Sequence, residues 1–167
     1  RSQSDFVIKY DGIHLNKKKS LYDKAAAIRE CFNFLDKDYS IDAVYAEESL
    51  QSFRRGLSSA KTLSTLTRFN GIVCFLAEDI FKVNVELVNV IHARSRLGLK
   101  IDRKSSDTTK EQVLNWSMKH PDLVSIDWPK KKLKSGPRAG TIINDPSCYD
   151  IADAAVMSLF GTNHICL

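Results

Sequence analysis

"SIDAVYAEES", residues 40–49, holds an apolar run from Ile41 to Ala46 that ends in two carboxylates, Glu47 and Glu48. A run this short, rich in Val, Tyr and Ala and stopped by charge, reads as a buried strand whose C-terminal end is acidic. Helical patterns flank it. Before it, "SLYDKAAAIRECFNFLDKD" places Leu21, Ala25, Ile28, Phe32 and Leu35 at helical spacing, with Ser20 as N-cap. After it, "SSAKTLSTLTRFNGIVCFLAEDIF" reads as a long amphipathic helix starting after Gly56, with Leu63, Leu66, Phe69, Val73 and Leu76 facing a sheet or a second copy.

Working outward, "DFVIKYDGIHL" reads as a strand or hairpin turning at Asp11–Gly12, and the Val-rich "VNVELVNVIHA" as a further strand. "TKEQVLNWSMKHP" is expected to be a helix of about three turns, capped by Asp107 or Thr108 and stopped before Pro121, with Trp116 on its apolar stripe. "WPKKKLKSGPRAGTIINDPS" reads as a long loop, and "CYDIADAAVMSLFG" as a final core helix. Strands and helices alternate along the chain. That order predicts an α/β fold with a largely parallel sheet and helices on its faces.

The 167 residues suit one domain with a full core. No apolar stretch approaches the roughly 18 residues of a membrane span, and "RSQSDFVIKY" lacks the pattern of a leader peptide. Cys31, Cys74, Cys148 and Cys166 are widely spaced, with no C-x-x-C and no paired His, so they read as reduced thiols of an intracellular protein rather than zinc ligands. The net charge is +5. Its distribution matters more: basic runs fall at 17–19, 54–55, 92–104 and 129–138, a pattern suited to a polyanion.

Asp150 and Asp153 stand three residues apart at the start of the final helix and share one face. Capping accounts for one aspartate there but not for two at the buried end of an apolar helix. In parallel α/β sheets, sites form at the C-terminal ends of strands, which is where Glu47 lies. Three carboxylates meeting there would require cations, and hard oxygen donors suit Mg²⁺ or Mn²⁺. Two such ions roughly 3.5–4 Å apart activate a water and stabilise the leaving oxygen of a phosphodiester. Asp145 fits a turn before Pro146 or a loop ligand, and Glu48 points away from Glu47 by strand alternation.

These residues carry a family resemblance. "AVYAEESLQSFRRGLSSAKTLSTLTRFNGIV" resembles the segment of RuvC-like Holliday-junction resolvases in which a strand ends in a catalytic glutamate and a DNA-facing loop and helix follow. "YDIADAAVMSLFG" resembles that family's closing D-x-x-D-A helix, and "HARSRLGLKIDRKSSDTTKEQVLNWSMKH" is similar to its basic strand–loop–helix. The resemblance covers roughly residues 40–160 in the family's order. It implies a ribonuclease H-like mixed sheet flanked by helices, forming a single nuclease domain over 1–167. It further implies a homodimer that nicks four-way DNA junctions with two Mg²⁺ or Mn²⁺ ions per active site.

By position, Glu47 matches the second catalytic carboxylate, Asp150 and Asp153 match the last pair, and Lys110 falls near the family's lysine, within reach of the scissile phosphate. The family's first aspartate lies on its first strand. "DFVIKYDGIHL" corresponds to the third, so that aspartate is expected to lie outside this chain, with Asp11 its only nearby substitute. Arg54, Arg55 and Lys61 at the mouth of the site, with Arg94, Arg96, Lys100 and Lys104, are the expected DNA-backbone contacts. Phe53 is placed either to wedge against bases or to pack on the core. A junction-binding protein without catalysis, or another ribonuclease H-like nuclease acting on RNA–DNA hybrids or as a transposase core, fits the same residues.

Overall fold

The structure, a computed structural model, describes residues 12, 13, 15, 20–48, 60–123 and 126–165. The chain divides into two compact units, one spanning Ile13–Val90 and the other built on Ile91–Leu167. Both combine helix and strand, as α/β patterning predicts.

In the first unit, α1 (Leu21–Asp38) begins at a reciprocal capping box. The Asp23 N–H donates to Ser20 Oγ at 3.0 Å, and the Ser20 N–H donates to the Asp23 carboxylate at 3.1 Å. β1 (Val44–Glu47) follows, then α2 (Ala60–Phe81) and β2 (Val85–Val88). β1 and β2 pair in parallel, with Val44 opposite Val85 and Glu47 opposite Val88. A parallel pair needs a crossover, and α2 supplies it. α1 packs on α2 through the tilted Phe32 and Phe81 rings, centroids 5.1 Å apart, beside an Arg29–Asp79 ion pair at 3.6 Å. Of the apolar stripe of α2, Leu76 is buried and Leu63, Phe69 and Val73 are half-buried, while Leu66 is exposed.

The strand expected over "VNVELVNVIHA" is shorter than its alternation implies. It ends at Val88, and Val90–Arg96 form a helix, α3. Asn89, a residue that favours helix starts over strands, separates the two. The helix puts Ala93 at zero exposure and ends in a glycine turn, with Gly98 at φ 72° and the Leu99 N–H donating to Arg94 O at 2.9 Å.

The second unit continues with α4 (Thr109–Ser117). Thr108 is its N-cap and forms a capping box with Glu111; the Thr108 hydroxyl and N–H both donate to the Glu111 carboxylate at 2.7 Å and hold it below the usual carboxylate range. α5 (Ser147–Ile165) packs against α4 and carries most of the core. Ala152 and Val156 are fully buried, and Ile151, Ala155, Leu159 and Phe160 nearly so.

The long loop expected over residues 128–147 is instead an antiparallel hairpin, β3 (Lys130–Lys132) with β4 (Ile142–Asn144). Lys130 lies opposite Asn144 and Lys132 opposite Ile142. Three consecutive lysines give no alternation to read, which hid the strand; exposed edge strands nevertheless tolerate lysine well. Among the described residues the strands form these two separate pairs, one parallel and one antiparallel, rather than a single large sheet. No helix in the described residues is long and apolar enough to cross a membrane.

Candidate functional site

Glu47 closes β1, and its main chain is fastened from α2. Asn70 Nδ2 donates to Glu47 O at 2.9 Å, and the Asn70 amide oxygen in turn accepts from Cys74 Sγ at 3.2 Å. A cleft of about 410 Å³ opens beside Glu47 and Glu48, walled by Leu63, Phe69, Asn70 and Val73. The Glu47 side chain is exposed at this mouth and Glu48 is half-buried. The Asn89 amide reaches the Glu48 carboxylate at 3.5 Å. Both glutamates border the cleft, although strand alternation was expected to turn Glu48 away from it, and Asn70 is a positioning residue that sequence reasoning missed. Its signal, a polar residue amid an apolar helical stripe, was present.

In the second unit, Asp145 starts α5 as a turn residue. Its carboxylate accepts from the Ser147 N–H at 2.9 Å and from Ser147 Oγ at 2.8 Å, which is the turn role of an Asx residue rather than that of a ligand. Asp150 and Asp153 then rise from α5 into different surroundings. Asp150 is 83% exposed, so the expectation that both carboxylates sit at a buried end holds only for Asp153, which is 25% exposed. Each faces a cation. Lys110 Nζ, from the first turn of α4, lies 3.7 Å from Asp150 Oδ1, and Arg94 Nη2, from α3, donates to Asp153 Oδ1 at 2.8 Å.

Arg94 is 15% exposed, and its Nε is buried with no hydrogen-bond acceptor. Its guanidinium is thus committed to Asp153 rather than displayed to solvent. Arg96, Lys100 and Lys104 are exposed, as is Lys61 in the first unit. The loop bearing Lys100 and Lys104 is shaped by Gln112, whose amide accepts from the Asp102 N–H at 2.8 Å and donates to Asp102 O and Asp107 O at 2.9 Å. Phe53, Arg54, Arg55 and Asp11 lie outside the described residues. Trp116 is half-buried and packs on His120 with ring centroids 4.6 Å apart.

The Arg94–Asp153 pair makes a test of charge placement. Breaking a fully buried pair costs about 3–5 kcal/mol because one charge is stranded. Asp153 keeps a quarter of its exposure, so Asp153→Ala, which strands the more buried guanidinium, is expected to cost about 2–3 kcal/mol. Arg94→Ala leaves a carboxylate that water reaches and should cost less. Urea denaturation of both variants checks the order; equal costs would show that burial does not govern the pair.

The two α5 carboxylates are hard oxygen donors of the kind Mg²⁺ or Mn²⁺ takes, but each already faces a cation, Asp150 with Lys110 and Asp153 with Arg94, which opposes binding of a divalent ion. Among the described residues no group of three or more His, Cys, Asp and Glu is close enough to hold a metal. Glu47 belongs to the first unit and the aspartates to the second. The thiols take no part. Cys31, Cys74 and Cys148 are free, and burial pushes the Cys74 and Cys148 thiols up, helped by Glu78 and Asp145 respectively. Both stay protonated and weakly nucleophilic. Cys166 lies outside the described residues.

Comparison with protein-family models, with curated proteins and with solved structures returns no match.

Proposed function

We propose that the chain is the nuclease domain of a RuvC-like Holliday-junction resolvase, with a ribonuclease H-like fold, acting as a homodimer that nicks four-way DNA junctions with Mg²⁺ or Mn²⁺. One observation carries the reading. The lysine of the helix that resembles the family's penultimate one stands 3.7 Å from the first carboxylate of the D-x-x-D-A helix. Lysine and aspartate are 40 residues apart in sequence, and their meeting supports placing the lysine beside the carboxylates of that helix.

In this reading Asp150 and Asp153 are metal ligands on the second unit, and Glu47 is a candidate ligand on the first. Bound Mg²⁺ or Mn²⁺ supplies activation of a water and stabilisation of the leaving oxygen. Lys110 is 59% exposed, and at 3.7 Å its contact with Asp150 is weak enough in water to be exchanged for a phosphate oxygen. Arg94 orients Asp153 through a charge-assisted hydrogen bond. Arg96, Lys100 and Lys104 offer their exposed charges to backbone phosphates.

A second reading is favoured by the same Arg94–Asp153 contact. An aspartate already neutralised by arginine needs no metal, which suits a protein that binds junctions without cutting them. The natural chain at full length separates the two, assayed on a labelled four-way junction with Mg²⁺ against linear duplex and RNA–DNA hybrid competitors. Symmetric nicks in the junction are expected. Tight, salt-sensitive junction binding without cleavage would leave the binding reading, and preference for the hybrid would place the chain among other ribonuclease H-like nucleases.

A further inference from the structure

We infer that the β3–β4 hairpin is a docking ribbon for the phosphate backbone of a duplex DNA arm. This rests on the nucleic-acid half of the reading above and adds a surface to it.

Charge gives the first observation. Between Trp128 and Asn144 the chain carries Lys130, Lys131, Lys132, Lys134 and Arg138 and no Asp or Glu. The whole chain has 25 Lys and Arg against 20 Asp and Glu, so removing these five cations leaves 20 of each. The net positive charge of the protein is, in number, the charge of this hairpin. None of the five lies within ion-pair distance of a carboxylate among the described residues.

Geometry gives the second. Successive strand residues point to opposite faces, yet Lys130, Lys131 and Lys132 are all exposed, so both faces of the ribbon meet water. An isolated two-stranded hairpin is marginal in water, and this one is held at its base and tip. At the base, the Asp145 N–H and Cys148 Sγ both donate to Pro129 O, at 2.8 and 3.1 Å, between the buried Trp128 and Cys148. Towards the tip, the Leu133 N–H donates to Thr141 O at 3.0 Å and the Gly140 N–H to Leu133 O at 2.8 Å. Gly136 and Gly140 take φ of 84° and 89°, values open to glycine at no steric cost.

A lysine or two on an edge strand is explained by protection against edge-to-edge pairing. Five cations on both faces and in the turn, with no anion among them, exceed that need, since soluble surfaces otherwise mix the two signs. A two-stranded ribbon fits the major groove, whose walls are phosphates. Lysine acts as a point charge rather than a bidentate reader, so the ribbon should position DNA without selecting sequence. Its placement is apt: β4 ends at Asn144, α5 starts at Ser147, and Asp150 is three residues further on.

The test uses the natural chain at full length and its Lys131→Gln, Lys132→Gln, Lys134→Gln, Arg138→Gln variant, with lysine-to-arginine replacement at the three lysines as a charge-keeping control. Affinity for labelled duplex and four-way junction is measured across salt in EDTA, with thermal melting to verify folding. Each lost phosphate contact should flatten the slope of log K against log salt by about 0.9. The neutralised variant is expected to lose two or more such contacts (a slope change of roughly 2–4) on both DNAs, and the arginine control none. An unchanged slope overturns the inference, as does a change seen with single-stranded RNA or anionic vesicles but not with DNA. A flattened slope in a protein that never nicks would keep the ribbon and remove the nuclease. Nicking with an unchanged slope would do the reverse.

Discussion

Asp150→Asn is expected to lower Mg²⁺-dependent nicking of a four-way junction by roughly 10³-fold while leaving junction affinity within a few-fold of the parent. Asparagine keeps the shape of the side chain and removes the anionic oxygen. A metal-held charge at the reacting phosphate contributes several kcal/mol, and about 4 kcal/mol corresponds to that factor. The substitution is clean because the Asp150 side chain is 83% exposed and its only ion pair in the described residues is the 3.7 Å contact with Lys110. Surface changes of this kind stay within about 0.5 kcal/mol in stability. Asp153→Asn should lose as much nicking but also disturb folding, since it takes the carboxylate from a guanidinium that is only 15% exposed. Nicking rates beside urea midpoints for both variants distinguish chemistry from stability. If both variants nick at the parental rate, the metal-ligand role assigned to α5 is wrong.

Local signals were legible in the sequence and distant ones were not. Ser20 with Asp23 and Thr108 with Glu111 are capping boxes written within four residues, and α1 and α4 start where those residues place them. The run Val44–Glu47 was readable as a strand from its own composition, and its parallel partner followed from the helix between them. α3 was not legible, because a Val-rich run reaching Val90 extends the pattern of a strand into a helix whose buried face is a single alanine, Ala93. The hairpin was hidden by its lysines. At the candidate site, the pairing of α5 carboxylates with cations depends on contacts 40 and 59 residues apart in sequence. Nothing local in "HARSR" says that Arg94 turns inward while Arg96 stays exposed. The ion pair with Asp153, 59 residues away, holds Arg94 inward.

Phe160→Ala is expected to destabilise the second unit by about 3–5 kcal/mol, the range for deleting a buried aromatic and leaving its cavity. Phe160 is 6% exposed, one turn beyond the fully buried Val156, on the helix that packs against α4, where Val113 and Leu114 are buried. Its ring also meets His92 of α3 edge-on, with centroids 5.7 Å apart. That contact ties the loss of packing to the site, because α3 carries Arg94 two residues after His92, and Arg94 reaches Asp153 from there. A cavity under α3 should therefore loosen the Arg94–Asp153 pair, and the Asp153→Ala cost measured in a Phe160→Ala background should fall below its value alone. Phe160→Leu, which keeps most of the volume, should cost about 1 kcal/mol. Ile91→Ala is the control on α3: an isoleucine 70% exposed, where truncation should change stability by no more than about 0.5 kcal/mol. Total stabilities of single domains run to only about 5–15 kcal/mol, so the alanine variant should show a large fall in its urea midpoint. A cost below about 1 kcal/mol for Phe160→Ala, or additive costs in the double variant, would mean that the core of α5 does not support the site above it.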